Sequence, residues 1–169
     1  MGGINLQFAD DPKCENLNLR KLGNGDDVAV DIKLSGIVTK EFAPGAISKL
    51  TGCTVDQAQA FWKDTEEREV VYVGLEELSV KTQFKEGQHC YLGEKDVDGK
   101  HEFEFKGCNA VKFKFKPIGG GSLKIAFTVQ VEKVSEATIG QLSHYINNEV
   151  GCELYADPDM FDEDDEGEE

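Results

Sequence analysis

The alternation of apolar and polar positions is most regular between residues 111 and 131. Val111–Lys116 alternates apolar residues with lysines, Pro117–Gly121 forms a glycine-rich break, and Leu123–Val131 resumes the alternation. Successive side chains of a β-strand point to opposite faces, so this pattern predicts a hairpin with one apolar and one polar face. The polar face carries Lys112, Lys114, Lys116 and Lys124.

Similar patterns predict further strands and two helical segments. Alternation or β-branched runs indicate strands at Ile4–Phe8, Leu17–Leu22, Val28–Val38, Val70–Val73, Leu78–Phe84, Cys90–Leu92, His101–Lys106 and Val150–Tyr155. Turns are predicted at Gly23–Asp26 and Asp96–Gly99. An α-helical insertion is expected within Ala43–Lys63, where Gly52 stops one turn and Thr54 with Gln57 has the spacing of a capping box. Ser135 is the expected N-cap of a later helix.

These elements predict a mainly β protein with eight or nine strands and two short helices. The short, hairpin-linked strands without βαβ alternation favour a small antiparallel OB-like barrel or a strongly bent sheet. We expect a single β-rich domain over residues 1–156 and a disordered acidic C-terminal tail over residues 157–169.

The charge is unevenly distributed along the chain. The 169 residues have a formal net charge of −15, from 33 acidic and 18 basic side chains. Asp157–Glu169 holds nine of the acids and no base, so the rest of the chain is only mildly acidic. Phe105–Val131, in contrast, contains five lysines and no Asp or Glu. An acidic protein that keeps one strand face free of carboxylates is expected to use that face for an anion.

Cysteine usage and hydropathy indicate the compartment. The five cysteines include no CxxC pair, which is typical of reduced thiols in a cytosol. The N-terminus has no basic, apolar leader, and no apolar run approaches the ~20 residues of a membrane span. We expect a cytoplasmic protein with no membrane partner.

The lysine pattern suggests binding of a single-stranded nucleic acid. Alternate residues of a strand are about 6.6 Å apart, which is close to the spacing of phosphates along an extended strand. Binders of single strands combine such a basic surface with aromatic rings that stack on bases. The predicted DNA-binding residues are Lys106, Lys112, Lys114, Lys116, Lys124, Tyr72, Tyr91 and Trp62. The alternative is a solvated face whose lysines confer solubility and prevent edge pairing.

The plan of a small β-rich domain, a basic sheet face and an acidic C-terminus resembles the OB-fold single-stranded DNA-binding proteins encoded by bacteriophages. Val111–Tyr155 is also similar to the C-terminal part of small phage and prophage proteins. The resemblance implies a sequence-independent function in phage recombination or replication, in the host cytoplasm. It also implies that the tail competes with DNA and recruits a recombinase, polymerase or other replication protein. The predicted partner-binding residues of the tail are Met160, Phe161, Asp162, Glu163, Asp164 and Asp165.

The sequence also bears on other functions. No GxSxG, P-loop or HExxH motif is present, so we expect no enzymatic activity and no cofactor. His89, Cys90, His101 and Cys108 do not have the spacing of a zinc site. The main alternative is an acidic inhibitor or DNA mimic that binds a host DNA-processing enzyme through its carboxylates. A structural protein of a virion and a homo-oligomeric form are also left open.

Overall fold

The computed structural model describes residues 3–21, 28–63, 67–72, 74 and 76–156. Its strands are β1 (Lys13–Lys21), β2 (Val28–Val38), β3 (Leu78–Ser79), β4 (Phe84–Lys95), β5 (His101–Pro117), β6 (Leu123–Val134) and β7 (Cys152–Ala156). Its helices are α1 (Ala43–Thr51), α2 (Val55–Ala58) with a 3-10 turn at Gln59–Phe61, and α3 (Glu136–Ser143).

The strands form one antiparallel sheet in the order β1–β2–β6–β5–β4–β7, with β3 paired to β5. The prediction of a mainly β protein is confirmed. Of the two expected forms, the sheet takes the open, bent one, because its ladder is not closed into a barrel. The described residues contain seven strands and three α-helices rather than the eight or nine strands and two helices expected.

The N-terminal segment does not form the predicted strand at Ile4–Phe8. It makes only isolated bridges, from Leu6 to Leu154 of β7 and from Phe8 to Val38 of β2. The buried amide of Gln88 pairs with this segment as a neighbouring strand would: the Ile4 N–H donates to Oε1 at 2.8 Å and Nε2 donates to the Ile4 carbonyl at 2.8 Å. One side chain therefore satisfies backbone groups that would otherwise be buried without partners.

The apolar face of the sheet lines the core. Phe113 stacks on Phe127 with ring centroids 5.6 Å apart, and Phe84 meets Phe113 edge-on at the same distance. Phe127 also stacks on Phe8, which covers the core from the N-terminal segment. All but Phe8 are buried, so truncating Phe113 or Phe127 to alanine should cost about 3–5 kcal/mol of stability.

The predicted helical insertion is confirmed in detail. Gly52 ends α1 with φ 81°, a left-handed conformation that glycine adopts without strain. Thr54 and Gln57 form the predicted capping box at the start of α2, each side chain accepting from the other residue's backbone N–H. Ser135 caps α3 through a hydrogen bond from the Thr138 N–H.

Two predicted strands around the central hairpin differ from the observed ones. His101–Lys106 and Val111–Lys116 belong to the same 17-residue strand, β5, because Gly107 at φ 70° shifts the pairing without ending the strand. Val70–Val73 contributes only a bridge from Val71 to Trp62 among the described residues. The predicted turn at Asp96–Gly99 connects β4 to β5, whereas the one at Gly23–Asp26 lies outside the described residues.

No described helix has the length and apolar character needed to cross a membrane.

Candidate nucleic-acid interface

The predicted lysines of β5 and β6 lie on the outer face of the sheet, which faces away from the core; we call the part of this face over β1, β2, β6 and β5 the basic face. Directly opposed residues in antiparallel strands share a face, so the register identifies its members. Thr128 of β6 lies opposite Lys33 of β2 on one side and Val111 of β5 on the other. The next outer-face residue of β6, Ala126, lies opposite Ser35 and Lys114.

The predicted lysines of β5 are not evenly spaced. A β-bulge shifts the register between Val111 and Lys114, and Lys112 within it has φ 58°. Val111 consequently faces outward opposite Thr128, against the prediction that it shares the apolar face with the phenylalanines. Lys112 and Lys114 both remain exposed and border the same depression, so the bulge keeps these two ammonium groups on one face.

At the glycine turn, two lysines face each other across the strands. Lys116 of β5 is directly opposite Lys124 of β6, where like charges destabilise the pairing. Lys116 is half-buried and Lys124 is exposed. This arrangement costs folding energy unless an anion lies between the two ammonium groups.

Lys106 lies apart from the other predicted lysines. It borders a separate depression with Glu132, beyond the outward-facing pair formed by Asn109 and Gln130. The neighbouring Gly107 interrupts the alternation of inward and outward side chains along β5, so Lys106 does not continue the series from Lys112 to Lys116. The structure therefore brings four of the five predicted lysines onto one half of the face.

A groove runs over the basic face, with a cavity volume of about 250 Å³. It is lined by Asn16, Asn18, Asp31, Lys33, Lys112, Lys114, Ala126, Phe127 and Thr128. Only small side chains, Ala126 and Thr128, rise from β6 in the middle of this groove, and the Phe127 ring is buried in the core below. We call this depression the groove.

Two carboxylates of the described residues of β1 and β2 reach the basic face, and each has a cationic partner on β1. Arg20 Nη2 donates to Asp31 Oδ1 at 2.9 Å. Arg20 Nε donates to both carboxylate oxygens, to Oδ1 at 3.1 Å and to Oδ2 at 3.2 Å. Glu15 is 3.7 Å from Lys13 Nζ and accepts from the Ser35 hydroxyl at 2.6 Å. The absence of acids from Phe105–Val131 therefore does not extend to the whole folded face, but both acids are locally compensated.

The remaining cations of the face have no such partners. Within the described part of the chain, no ion pair involves Lys33, Lys112, Lys114, Lys116 or Lys124. Five ammonium groups without ion-pair partners therefore concentrate positive charge on one face of a protein with a large negative net charge. The face can therefore attract an anion that carries several charges.

Trp62 is not a stacking residue, which corrects the prediction. Its side chain is fully buried, with 0% exposure. The indole N–H donates to the Ile118 carbonyl at 2.8 Å, and the Arg68 guanidinium lies 5.3 Å from the ring centroid. Trp62 packs the end of α2 against the turn after β5. No local sequence signal distinguishes such a buried tryptophan from one exposed at the surface.

The two predicted tyrosines lie outside the groove. Tyr72 is 52% exposed, but it borders an apolar pocket with Ala60 and Phe61, under Lys63. Tyr91 lies on β4 between Glu104 of β5 and Glu153 of β7, a position that repels phosphates. Among the described residues, the basic face thus supplies cations and amides and no exposed aromatic platform at its groove.

Several groove residues were not found from the sequence. Lys33, Asn16 and Asn18 come from β1 and β2, about 80 or more residues away from the lysines of β5. The sequence signal that could have identified Lys33 is the alternation in β2, where Asp31 and Lys33 are polar positions between apolar ones.

The tail residues from Met160 to Asp165 lie outside the described residues.

A second polar cluster lies at the other end of the sheet. His101 Nδ1 is 3.1 Å from the Gly93 carbonyl, and His101 Nε2 is 3.3 Å from Glu153. Lys95, at 3.0 Å, and His101 lower the pKa of Glu153. Over the described ranges, no three His, Cys, Asp or Glu side chains are placed to bind a metal ion. This cluster joins β4, β5 and β7 electrostatically.

Comparisons of the chain with protein-family models, with curated proteins and with solved structures yield no match.

Proposed function

We propose that the protein binds single-stranded DNA on the basic face, largely independently of sequence, in support of phage recombination or replication. The observation that carries the proposal is the convergence of Lys33, Lys112, Lys114, Lys116 and Lys124 on one face without ion-pair partners. Neutralising phosphates with such lysines releases counterions, which supplies most of the affinity in sequence-independent binding. The protein acts as a binding module and not as an enzyme.

Binding in this proposal depends on phosphates more than on base stacking. Among the described residues, the groove lining contains amides, ammonium groups and the ion-paired Asp31, and its one aromatic residue, Phe127, has its ring in the core. Stacking platforms contribute about 1–3 kcal/mol per base in other single-strand binders. Without them, affinity should be moderate and steeply dependent on salt.

The acidic tail restrains this binding and recruits a protein partner. Thirteen residues follow Ala156, with a fully extended reach of about 45 Å. The sheet from β7 to β1 is about 24 Å wide at the usual strand spacing. The tail is therefore long enough to place its carboxylates on the basic face, where they compete with DNA. Met160 and Phe161 supply the apolar contacts for a recombinase or replication protein.

The test is binding of a labelled oligo-dT of about 20 nucleotides, followed by fluorescence anisotropy at low salt. Replacing Lys112, Lys114 and Lys116 together by Glu should reduce affinity by about 500- to 1,000-fold, because each lost contact costs about eight- to tenfold at roughly 50 mM salt. Lys100→Glu, in the exposed turn between β4 and β5, is the matched control. Equal affinities for the triple variant and the parent would exclude this face as the DNA-binding site.

A second candidate function is an acidic inhibitor or DNA mimic. It is favoured by Glu104 and Glu153, which flank Tyr91 on the outer face of the other half of the sheet. Such a protein would bind a basic host enzyme through these carboxylates and would not bind oligo-dT. The same anisotropy experiment separates the two functions.

A further inference from the structure

We propose that the bound strand crosses the β-strands through the groove, from β5 to β1, and does not run along β5. The inference rests on the proposed function and adds the path of the DNA strand and two further ligand-binding residues, Asn16 and Asn18. Lys33, Asn16 and Asn18 would form the second half of the site. The ligand class is an extended single strand whose phosphates enter the groove and whose bases face outward.

The register aligns the groove across the sheet. Lys33 lies opposite Asn16 on one side and Thr128 on the other. Thr128 in turn lies opposite Val111, next to the bulge that carries Lys112. With neighbouring strands about 4.8 Å apart, the lysines of β2 and β5 are separated by about 10 Å. The small residues of β6 leave the space between them open, so ammonium groups reach a phosphate chain from both walls.

The same data argue against a path along β5. The bulge at Lys112 breaks the two-residue period that a row of phosphates would follow. Lys106 lies beyond Asn109 and Gln130, in a depression that it shares with Glu132. A DNA strand that followed β5 would therefore leave the basic face before reaching Lys106 and would meet the carboxylate of Glu132.

The side chains on the β1 side suit a phosphate backbone. Asn16 and Asn18 are exposed, and in the described part of the structure neither side-chain amide forms a hydrogen bond. Each can donate to a phosphate or sugar oxygen. Asp31 is the one acidic side chain among the described residues that line the groove; it is only 8% exposed and forms an ion pair with Arg20. The ion pair with Arg20 compensates the negative charge of Asp31, which would otherwise repel a phosphate.

The experiment compares single variants of the full chain for binding to the labelled oligo-dT at roughly 50 mM salt. Lys33→Glu should weaken binding by tenfold or more, since a lost phosphate contact alone accounts for about that factor. Lys33→Gln should weaken it by about eightfold. Lys106→Glu should change it less than about threefold, and Lys100→Glu is the control for net charge. Lys33 and Lys106 are both exposed, and circular dichroism verifies that each variant folds.

The outcomes separate this inference from the proposed function. If Lys106→Glu weakens binding more than Lys33→Glu does, the strand follows β5 and the inference is wrong, although the face still binds DNA. If oligo-dT does not bind to the parent, the proposed function fails as well. An abasic oligomer of the same length should bind within about threefold of oligo-dT, because the bases face outward. A tenfold loss with the abasic oligomer would contradict a backbone-only contact.

Discussion

Lys124→Glu should stabilise the fold while weakening DNA binding, two effects of opposite sign from one substitution. Lys124 lies directly opposite Lys116, so the parent holds two like charges across the strand pair. The substitution turns this pair into one of opposite charge on an exposed sheet face. A local conflict of this kind is expected where a site is built for a ligand rather than for stability.

The magnitude follows from the geometry of the pair. Two unit charges about 6 Å apart in water interact with about 0.7 kcal/mol, and reversing one sign changes the energy by about twice that amount. Screening at 0.1 M salt roughly halves this value, which leaves a gain of about 0.5–1 kcal/mol, in the range measured for cross-strand pairs. For a chain of this size, the melting temperature should rise by roughly 1–4 °C.

Thermal unfolding by circular dichroism and anisotropy with oligo-dT test the two effects together. At roughly 50 mM salt, affinity should fall by tenfold or more, and Lys124→Gln should give about half the stabilisation. Lys100→Glu makes the same change in net charge within an acidic turn and should not raise the melting temperature. A lower melting temperature for Lys124→Glu, or unchanged affinity, would refute the reasoning.

Three further predictions concern the groove acid, the tail and a buried thiol. Asp31→Asn should tighten oligo-dT binding several-fold, because Arg20 is released and the groove loses its carboxylate; weaker binding in anisotropy would contradict this. Deleting Asp157–Glu169 should also tighten binding, and an unchanged or lower affinity would contradict competition by the tail. Burial raises the pKa of Cys108 to about 12, so only about one thiol in ten thousand is ionised at pH 8. Ellman's reagent should therefore label half-exposed Cys53 well before Cys108, and labelling of Cys108 should require unfolding or strongly alkaline pH.

The parts of the fold that could be predicted are those with a local physical signal. Gly52 and the Thr54–Gln57 pair determine where α1 ends and α2 begins through their own backbone and side-chain hydrogen bonds. The alternation in β2 and β6 determines which face is buried, since the period of a strand is independent of its partner. Such signals need no information from distant parts of the chain.

The features that could not be predicted depend on tertiary contacts. The bulge at Lys112 has a positive φ at a non-glycine residue, which no nearby residue signals. Trp62 is buried because Ile118 and Arg68, both distant in sequence, satisfy its indole N–H and cover its ring. Lys33 joins the site only because β6 pairs with β2, a contact that links residues nearly 100 positions apart.

The electrostatic part of the site was partly predictable. The run of lysines predicted that these side chains share a face, and Lys112, Lys114, Lys116 and Lys124 do so although a bulge interrupts the alternation of β5. It did not reveal Asp31, which reaches the same face from β2, or the Arg20 that compensates it. A charge count along one hairpin therefore overestimates how free of acids the folded face is.

The salt dependence of oligo-dT affinity tests the central claim most directly. The logarithm of the association constant should fall with the logarithm of salt concentration with a slope of about −2 from phosphate contacts of the three groove lysines, Lys33, Lys112 and Lys114. The slope reaches about −3.5 when Lys116 and Lys124 also contact phosphates. The slope should become shallower by about 0.7 for each of these lysines replaced by glutamine. An absence of binding at roughly 50 mM salt, or a slope near zero, would contradict DNA binding by the basic face.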